Sequence, residues 1–466
     1  MRFWEILLVG VNFGLLYWVF SKRIKATSTS KSHWPLIVGI LAVMGQVVFE
    51  GITWRMIPAY LTIVLIAAYL YVGRKKKNKR KWYTVTIQIT MLTVYLASAI
   101  LLPTFFPIFS LPNPTGAYSV GTVTYHWTDE KRLETLEKGT QGNRELMIQI
   151  WYPATEESEK EPEPYFTPEI TRTVGIPLSH LDQVRTHSLS EASLSSEQER
   201  YPVLIYSHGY GSPRNSATFQ IEELVSHGYI VVGMEHTYSA LATVFPDGRT
   251  VINSKKYPSN SYLNDLMSTW KADATFVLDQ LEELNNGGEN DRFKGKLDLG
   301  KIGMFGHSFG GATSYWMLQQ DKRVKAAINM DGGLIGGTVP EEGGEKPYFL
   351  MNTTWSLDEW LKSADQLGKT RESIEKEYYD YLSKNEKSIV GGGLSLLIPN
   401  STHASFTDVS LLSPLNRAKG ENPKKVHRLV REFTLAFFDQ YVKGTGEPTL
   451  QHLGEKYPAV KFKVNH

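Results

Sequence analysis

The chain has 466 residues, 42% hydrophobic and 21% charged, and is long enough for more than one folded unit, because single hydrophobic cores stop growing near ~250–300 residues. It contains no cysteine, which excludes disulfides, thiolate catalysis and Cys-ligated metals. Its formal net charge of +2 conceals two halves: residues 1–112 hold 13 Lys and Arg against Glu5 and Glu50, an excess of +11, which leaves −9 on residues 113–466 and argues against nucleic acid as a partner.

The first elements in the chain are four apolar runs, at about residues 3–20, 34–50, 56–72 and 83–109. Each approaches the ~20 residues that cross ~30 Å of hydrocarbon as a helix, which predicts a four-helix transmembrane region over residues 1–112. The loop after the first run carries Lys22, Arg23, Lys25 and Lys31, and the loop after the third carries Arg74, Lys75, Lys76, Lys77, Lys79, Arg80 and Lys81. The short loop between the second and third runs has Arg55 alone. Basic loops stay on the cytoplasmic side, so the expectation is a multi-pass cell-membrane protein whose large C-terminal part lies on the extracytoplasmic side. Trp4, Trp18, Trp34 and Trp82 lie near run ends, where interfacial anchors sit. A cleavable signal peptide lacks support, since the first run has no small-residue cleavage site and three runs follow it. Glu5 and Glu50 lie at run ends and indicate no ion or proton path.

Beyond the turn-rich stretch at 111–116 the pattern changes. Short apolar strands are expected at 146–151, 203–207, 230–234, 302–305, 326–329, 348–351 and 394–398, with helices at 220–227, 263–284, 310–319 and 425–442. This alternation predicts an α/β domain over 113–466, a mostly parallel sheet with helices on both faces, whose chemistry sits at the carboxyl ends of the strands. The polar, Ser-rich run 187–200 reads as a surface loop. Residues 355–390 are charged, with Trp355, Trp360, Leu361, Ala364 and Leu367 at helical spacing; they form either a cap over the site or a surface helix packed on the sheet.

After the strand at 302–305 comes Gly306-His307-Ser308-Phe309-Gly310, followed by Gly311-Ala312 opening a helix. This G-x-S-x-G pattern makes a sharp strand-to-helix turn that projects the hydroxyl of Ser308. A serine hydroxyl needs an imidazole to take its proton, and the imidazole needs a carboxylate to hold its tautomer. Downstream of Ser308 the histidines are His403, His427, His452 and His466. His427 falls inside the terminal helix and the last two near the chain end, whereas His403 follows directly on a strand. Asp331 directly follows the strand at 326–329 and is the expected acid. Asp358, Glu359 and Asp365 fall in a charged helical stretch, and Asp408 is placed to tie down the histidine loop. The oxyanion donors are expected to be the backbone N–H groups of Phe309 and of Tyr210, the latter in the loop Ser207-His208-Gly209-Tyr210-Gly211. His208 has no second ligand at metal-binding spacing and reads as structural. No nucleotide loop, haem motif or metal cluster appears, so neither cofactor nor metal is expected.

Five motifs in order, Tyr206-Ser207-His208-Gly209-Tyr210-Gly211, Val232-Gly233-Met234-Glu235-His236, Gly306-His307-Ser308-Phe309-Gly310-Gly311, Asn329-Met330-Asp331-Gly332 and His403-Ala404-Ser405-Phe406-Thr407-Asp408, resemble the plasma-type platelet-activating factor acetylhydrolases and their bacterial relatives. The resemblance covers about residues 118–442. It implies the α/β-hydrolase fold, calcium-independent hydrolysis of short or oxidised acyl esters, and a triad of Ser308, Asp331 and His403 with Phe309 and Tyr210 at the oxyanion hole. Two features depart from the family: the apolar N-terminal runs, and Tyr210 where an aliphatic residue is expected. The implied activity is a serine carboxylic ester hydrolase acting on a small ester or a phospholipid acyl group. The alternatives are acyl transfer by the same triad and a non-catalytic membrane receptor; an intact triad argues against the receptor.

Overall fold

A computed structural model describes the chain apart from residues 25–33, 73–81, 138–140, 158, 254–259, 288–291, 363–368, 418–419, 446–448 and 466. The basic stretch 74–81, Lys25 and Lys31 thus lie outside the described residues, as do Asp365, Ala364, Leu367 and His466. The chain forms two compact units. One comprises residues 1–109 with the short segments 175–184 and 411–415, and the other comprises the rest.

The first unit holds four helices, α1 (Phe3–Ile24), α2 (Trp34–Glu50), α3 (Ile57–Val72) and α4 (Trp82–Phe105). They coincide with the four apolar runs, yet among the described residues no helix is long and apolar enough to cross a membrane. The four expected spans are therefore not carried by the structure. Part of the reason is length: α2 and α3 have 17 and 16 residues, about 24–26 Å at ~1.5 Å per residue, short of ~30 Å of hydrocarbon. Part is polarity inside the bundle. Arg55, expected in a loop, is fully buried and pairs with Glu5 at 2.7 Å, and Asn12 Nδ2 donates to Ala59 O at 2.9 Å. Around these polar groups pack Leu8, Leu15, Met56 and Ile63, while Ile37, Ile40, Leu41, Met44, Val48 and Phe49 of α2 are exposed.

The second unit is built on a large sheet. Its strands are β1 (Ser119–Leu133), β2 (Asn143–Ala154), β3 (Pro162–Pro164), β4 (Arg185–Ser190), β5 (Tyr201–Ser207) and β6 (Ile230–Glu235), then β9 (Leu297–His307), β10 (Val324–Met330), β11 (Tyr348–Asn352), β12 (Leu394–Leu397) and β13 (Lys461–Val464); β7 (Ala242–Val244) and β8 (Thr250–Ile252) make a separate ribbon. The order across the sheet is β13-β12-β11-β10-β9-β5-β6-β2-β1-β4-β3. The run from β12 to β6 is parallel throughout. Buried on both faces, these strands are nearly continuous in apolar residues: every position of β5 and β6 is buried. Helices α5 (Pro168–Val174), α6 (Thr218–Ser226), α7 (Asn260–Asn285), α8 (Phe309–Gln320), α9 (Leu357–Lys362), α10 (Arg371–Ser388), α11 (Pro423–Phe438) and α12 (Thr449–Lys456) belong to the unit. Trp270 of α7 and Tyr315 of α8 join the main core, and Phe437 and Phe438 of α11 pack on Phe349 and Phe305 of the sheet.

All seven expected strands and four expected helices of this unit are present, with shifted ends. The structure adds β1, in which burial alternates over residues 123–129 before the charged end of the strand, and the short edge strands. It also corrects the reading of 187–200 as a loop. His187 to Ser190 belong to β4, which pairs with β1, and the N–H of His187 donates to Glu222 Oε1 at 2.7 Å.

In the parallel registers His307, Met330 and Met351 lie level across β9, β10 and β11. The residues that follow these strands therefore emerge at one sheet edge.

Candidate active site

Strand β9 ends at His307 and α8 begins at Phe309, so Ser308 alone makes the turn, at φ +55° and ψ −123°. A non-glycine residue there costs about 1–3 kcal/mol and persists only where its surroundings hold it. The surroundings are visible. The N–H of Ser308 donates to Met330 O at 2.8 Å, tying the turn to β10. A Cβ at Gly306 would run into the carbonyl of Gly310, and one at Gly310 into the carbonyl of Ser207, so only glycine allows this approach.

Asp331 follows β10 with φ +57°, and its N–H donates to Met351 O at 2.7 Å. Its side chain is fully buried and accepts from three donors: Thr353 N–H on Oδ1 at 3.1 Å, Trp355 Nε1–H shared between Oδ1 and Oδ2 at 3.1 and 3.0 Å, and His403 Nδ1–H on Oδ2 at 2.7 Å. A buried carboxylate is costly unless its oxygens are satisfied, and these are. The bond to Asp331 leaves the other ring nitrogen of His403 as an acceptor, and the ring is 38% exposed.

His403 opens a 3₁₀ turn, His403–Phe406, closed by a reciprocal bond of the Thr402 N–H to Ser405 Oγ at 2.7 Å. Asp408 fastens the end of this loop. Its N–H donates to Ser216 O at 2.8 Å, and its carboxylate accepts from Thr218 N–H at 2.7 Å, Phe219 N–H at 3.3 Å and Tyr165 OH at 3.2 Å. That is the tethering role expected for it. Of the other acids weighed, Asp358 and Glu359 lie on α9, where Glu359 Oε2 accepts from Ser356.

His307 is packed against His403, ring centroids 4.4 Å apart, and its Nε2–H donates to His403 O at 2.8 Å. Burial pushes its imidazole well below the usual histidine range, so it is a neutral packing residue of the elbow. It also brings the histidine loop against the residue preceding Ser308. Among the described residues Ser308 Oγ makes no hydrogen bond.

The expected oxyanion donors flank Ser308. Phe309 N–H is the first amide of α8, where intrahelical partners are lacking and the helix dipole favours negative charge. A Cβ on Gly209 would lie 3.3 Å from Ser308 Cβ, so the Ser207-to-Gly211 loop runs beside the serine. Tyr210 follows in that loop, and its phenol donates to Asn253 Oδ1 at 3.1 Å. His208 is taken up structurally: its Nδ1–H donates to Gly209 O at 2.7 Å and its Nε2 accepts the N–H of His236 at 3.1 Å.

The segment expected as a cap or surface helix contains α9 and α10. Trp360 of α9 packs on Tyr378 and Tyr381 of α10 at 5.6 and 5.4 Å. With the loop Gly333 to Gly337, Trp360 and Tyr381 line a cleft of about 460 Å³ that starts two residues beyond Asp331. Sequence reasoning placed Trp355 on an apolar stripe and missed it as a donor to Asp331, because nothing local marks an indole N–H for that use. Thr353 was missed for the same reason. Among the described residues no cluster of side chains suits a metal ion.

The chain is 26% identical over 382 residues to platelet-activating factor acetylhydrolase of Cavia porcellus, covering 73% of this chain and 80% of the relative. It is 24% identical over 280 residues to a probable 1-alkyl-2-acetylglycerophosphocholine esterase of Arthroderma benhamiae, covering 56% and 66%. Among solved structures, a ferulic acid esterase from Streptomyces cinnamoneus superposes with a TM-score of 0.62 at 27% identity, covering 76% of this chain and 98% of its own. These relatives make the fold that of an α/β-hydrolase and the chain an esterase-type hydrolase. The family described as platelet-activating factor acetylhydrolase, isoform II, matches residues 104–443, and the chain belongs to it.

Proposed function

We propose that the chain is a serine carboxylic ester hydrolase in which Ser308 attacks the ester carbonyl, His403 takes the serine proton and Asp331 orients and stabilises the imidazole. The observation that carries this reading is the 2.7 Å bond from His403 Nδ1–H to a buried Asp331, formed at the same sheet edge as the strained Ser308 turn. Attack forms a bond from Oγ to the carbonyl carbon, and the proton moves to His403 Nε2. The resulting oxyanion is met by the N–H groups of Phe309 and Tyr210. Collapse expels the alcohol, which takes the proton from His403, and leaves an acyl-serine. Water, activated by the same imidazole, releases the acid and restores Ser308.

Short acyl esters and the acyl groups of phospholipids are the substrates we propose, from the names of the relatives. The cleft beside Asp331, walled by Trp360 and Tyr381, supports an apolar group of the substrate there, with 355–390 acting as a cap. Turnover of p-nitrophenyl acetate by the wild type, its abolition by Ser308→Ala, and fluorophosphonate labelling at Ser308 alone are expected; a Ser308→Ala enzyme that retains turnover overturns the proposal. If added glycerol or lysolipid captures the acyl group in place of water, the same triad serves acyl transfer.

We also infer that the exposed apolar side of α2, from Ile37 to Phe49, faces lipid acyl chains and holds the enzyme at a membrane, with the catalytic unit away from the cytosol as the basic N-terminal loops suggest. Recovery of the full chain in a carbonate-washed membrane fraction, and release of the catalytic unit by protease added to intact cells, are the expected results. Full chain in the soluble fraction, or a catalytic unit protected in intact cells, overturns that placement.

A further inference from the structure

Beneath the candidate oxyanion loop lies a second serine, histidine and aspartate in line. Ser207 Oγ–H donates to His236 Nε2 at 3.0 Å, and His236 Nδ1–H donates to Asp273 Oδ2 at 2.9 Å. All three are buried. Arg144, buried as well, donates to both oxygens of Asp273 at 3.2 and 2.8 Å and to Glu134 at 2.7 Å. Burial by itself raises the Asp273 carboxyl, but Arg144 and His236 outweigh it and hold the group well below the usual carboxylate range. Burial lowers the His236 and His208 imidazoles, His208 to about 3, so both rings are neutral and each has one fixed tautomer.

The sealed array cannot reach a substrate, but it ends on the loop that can. His236 N–H donates to His208 Nε2, which leaves the proton of that ring on Nδ1, and Nδ1–H donates to Gly209 O at 2.7 Å. Ser212 N–H donates to the same carbonyl at 2.9 Å. Gly209 C=O and Tyr210 N–H belong to one planar trans peptide unit and point in opposite directions, so fixing the carbonyl fixes the amide. The far side of the loop is held too: Gly211 N–H donates to Ser239 O at 2.8 Å, and Ser239 Oγ accepts from Trp270 Nε1–H at 2.9 Å. Trp270 lies one turn before Asp273 on α7. Its ring stacks on His236 at 3.7 Å and meets Phe309, which carries the other donor, edge-on at 4.8 Å.

We infer that His236, clamped by Asp273 and Trp270, is a positioning residue for the oxyanion hole, acting through Ser207 and through the tautomer of His208 to hold the Gly209–Tyr210 peptide with its N–H turned to the reacting oxygen. This rests on the reading of Ser308 as nucleophile. Loss of the His208 donor leaves the Gly209 carbonyl to the Ser212 N–H and loosens the peptide, and loss of one oxyanion donor costs about 10²-fold or more in kcat.

The test uses the full chain, with active sites counted by exhaustive fluorophosphonate labelling. His208→Phe keeps a ring against Trp270 but removes the donor. It is expected to lower kcat per labelled site about 100-fold, to leave KM within about threefold, and to weaken a trifluoromethyl ketone inhibitor by the same factor as kcat/KM. His208→Asn, whose Nδ2–H falls near the lost Nδ1–H, is expected to recover to within about tenfold of wild type, and His236→Phe to lose about tenfold. A His208→Phe enzyme with wild-type kcat per labelled site, a loss confined to melting temperature or labelled fraction, or a His208→Asn enzyme as slow as His208→Phe overturns the inference. Turnover retained by Ser308→Ala is read separately and overturns the parent reading instead.

Discussion

Two sets of serine, histidine and aspartate occupy the catalytic unit, and their difference is instructive. In the first, Ser308 and Asp331 sit at positive φ beyond adjacent parallel strands, and His403 is 38% exposed. In the second, Ser207 ends a regular strand, and His236 and Asp273 are sealed under Trp270. The hydrogen-bonding groups are the same. What separates them is access and backbone strain: one imidazole has a nitrogen turned toward open space, while the other has both committed. Residue type alone therefore does not mark a nucleophile; the one we propose is the half-buried Ser308 on its strained turn.

The sharpest break of this comparison is removal of the open set. Ser308→Ala or His403→Ala is expected to lower kcat by roughly 10⁴-fold or more, measured with p-nitrophenyl acetate, while the circular dichroism spectrum is unchanged. Asp331→Asn should cost about 10³-fold, because the amide mis-sets the His403 tautomer that the 2.7 Å bond now fixes. Next comes the sealed set: Ser207→Ala should lower kcat by no more than about tenfold and leave Ser308 the labelled serine, since the hydroxyl positions a loop and attacks nothing. Trp355→Phe removes one of several donors to Asp331 and is expected to cost about three- to fivefold in kcat.

The smallest effect is on stability, and it belongs to buried groups. Burial pushes His208 and His427 to about 3 and also lowers His236 and His307. Below pH ~6.5 the unfolded chain protonates these imidazoles and the folded chain does not. The unfolded state then binds more protons, so stability is full above pH ~6.5 and falls as the pH drops toward 3. Burial raises the carboxyls of Asp408 and Glu235, which opposes this in part. A melting temperature lower by a few °C at pH 5.5 than at pH 7.5 is expected; an unchanged or higher value at pH 5.5 sinks the account.

Much of the catalytic unit was legible because its signals are local. Apolar runs such as VLIYS and IVVGM, buried on both faces, read as parallel strands from composition alone. The elbow around Ser308 declares itself by the glycines that its turn requires, and chain order after strands singled out Asp331 and His403. β1 went unread because its apolar residues alternate with Thr124, His126 and Thr128 and then run into the consecutive charges Asp129, Glu130, Lys131 and Arg132. The N-terminal runs were read correctly as helices. Their length and the burial of Arg55 against Glu5 depend on packing between helices distant in sequence, which no hydropathy window contains.

Sequence alone thus named Ser308, His403 and Asp331 as candidates for a nucleophile, a base and an orienting acid, since those capacities are intrinsic to side chains and to strand-ending turns. Tertiary structure decided which groups meet. Trp355 and Thr353 reach Asp331, Asp408 ties the histidine loop to α6, and His236 with Asp273 underpins the Gly209 carbonyl through His208. Such contacts join residues up to 190 positions apart, as Asp408 and Thr218 are. Hydrogen bonds and burial depend on distance in space, and distance along the chain carries no record of it.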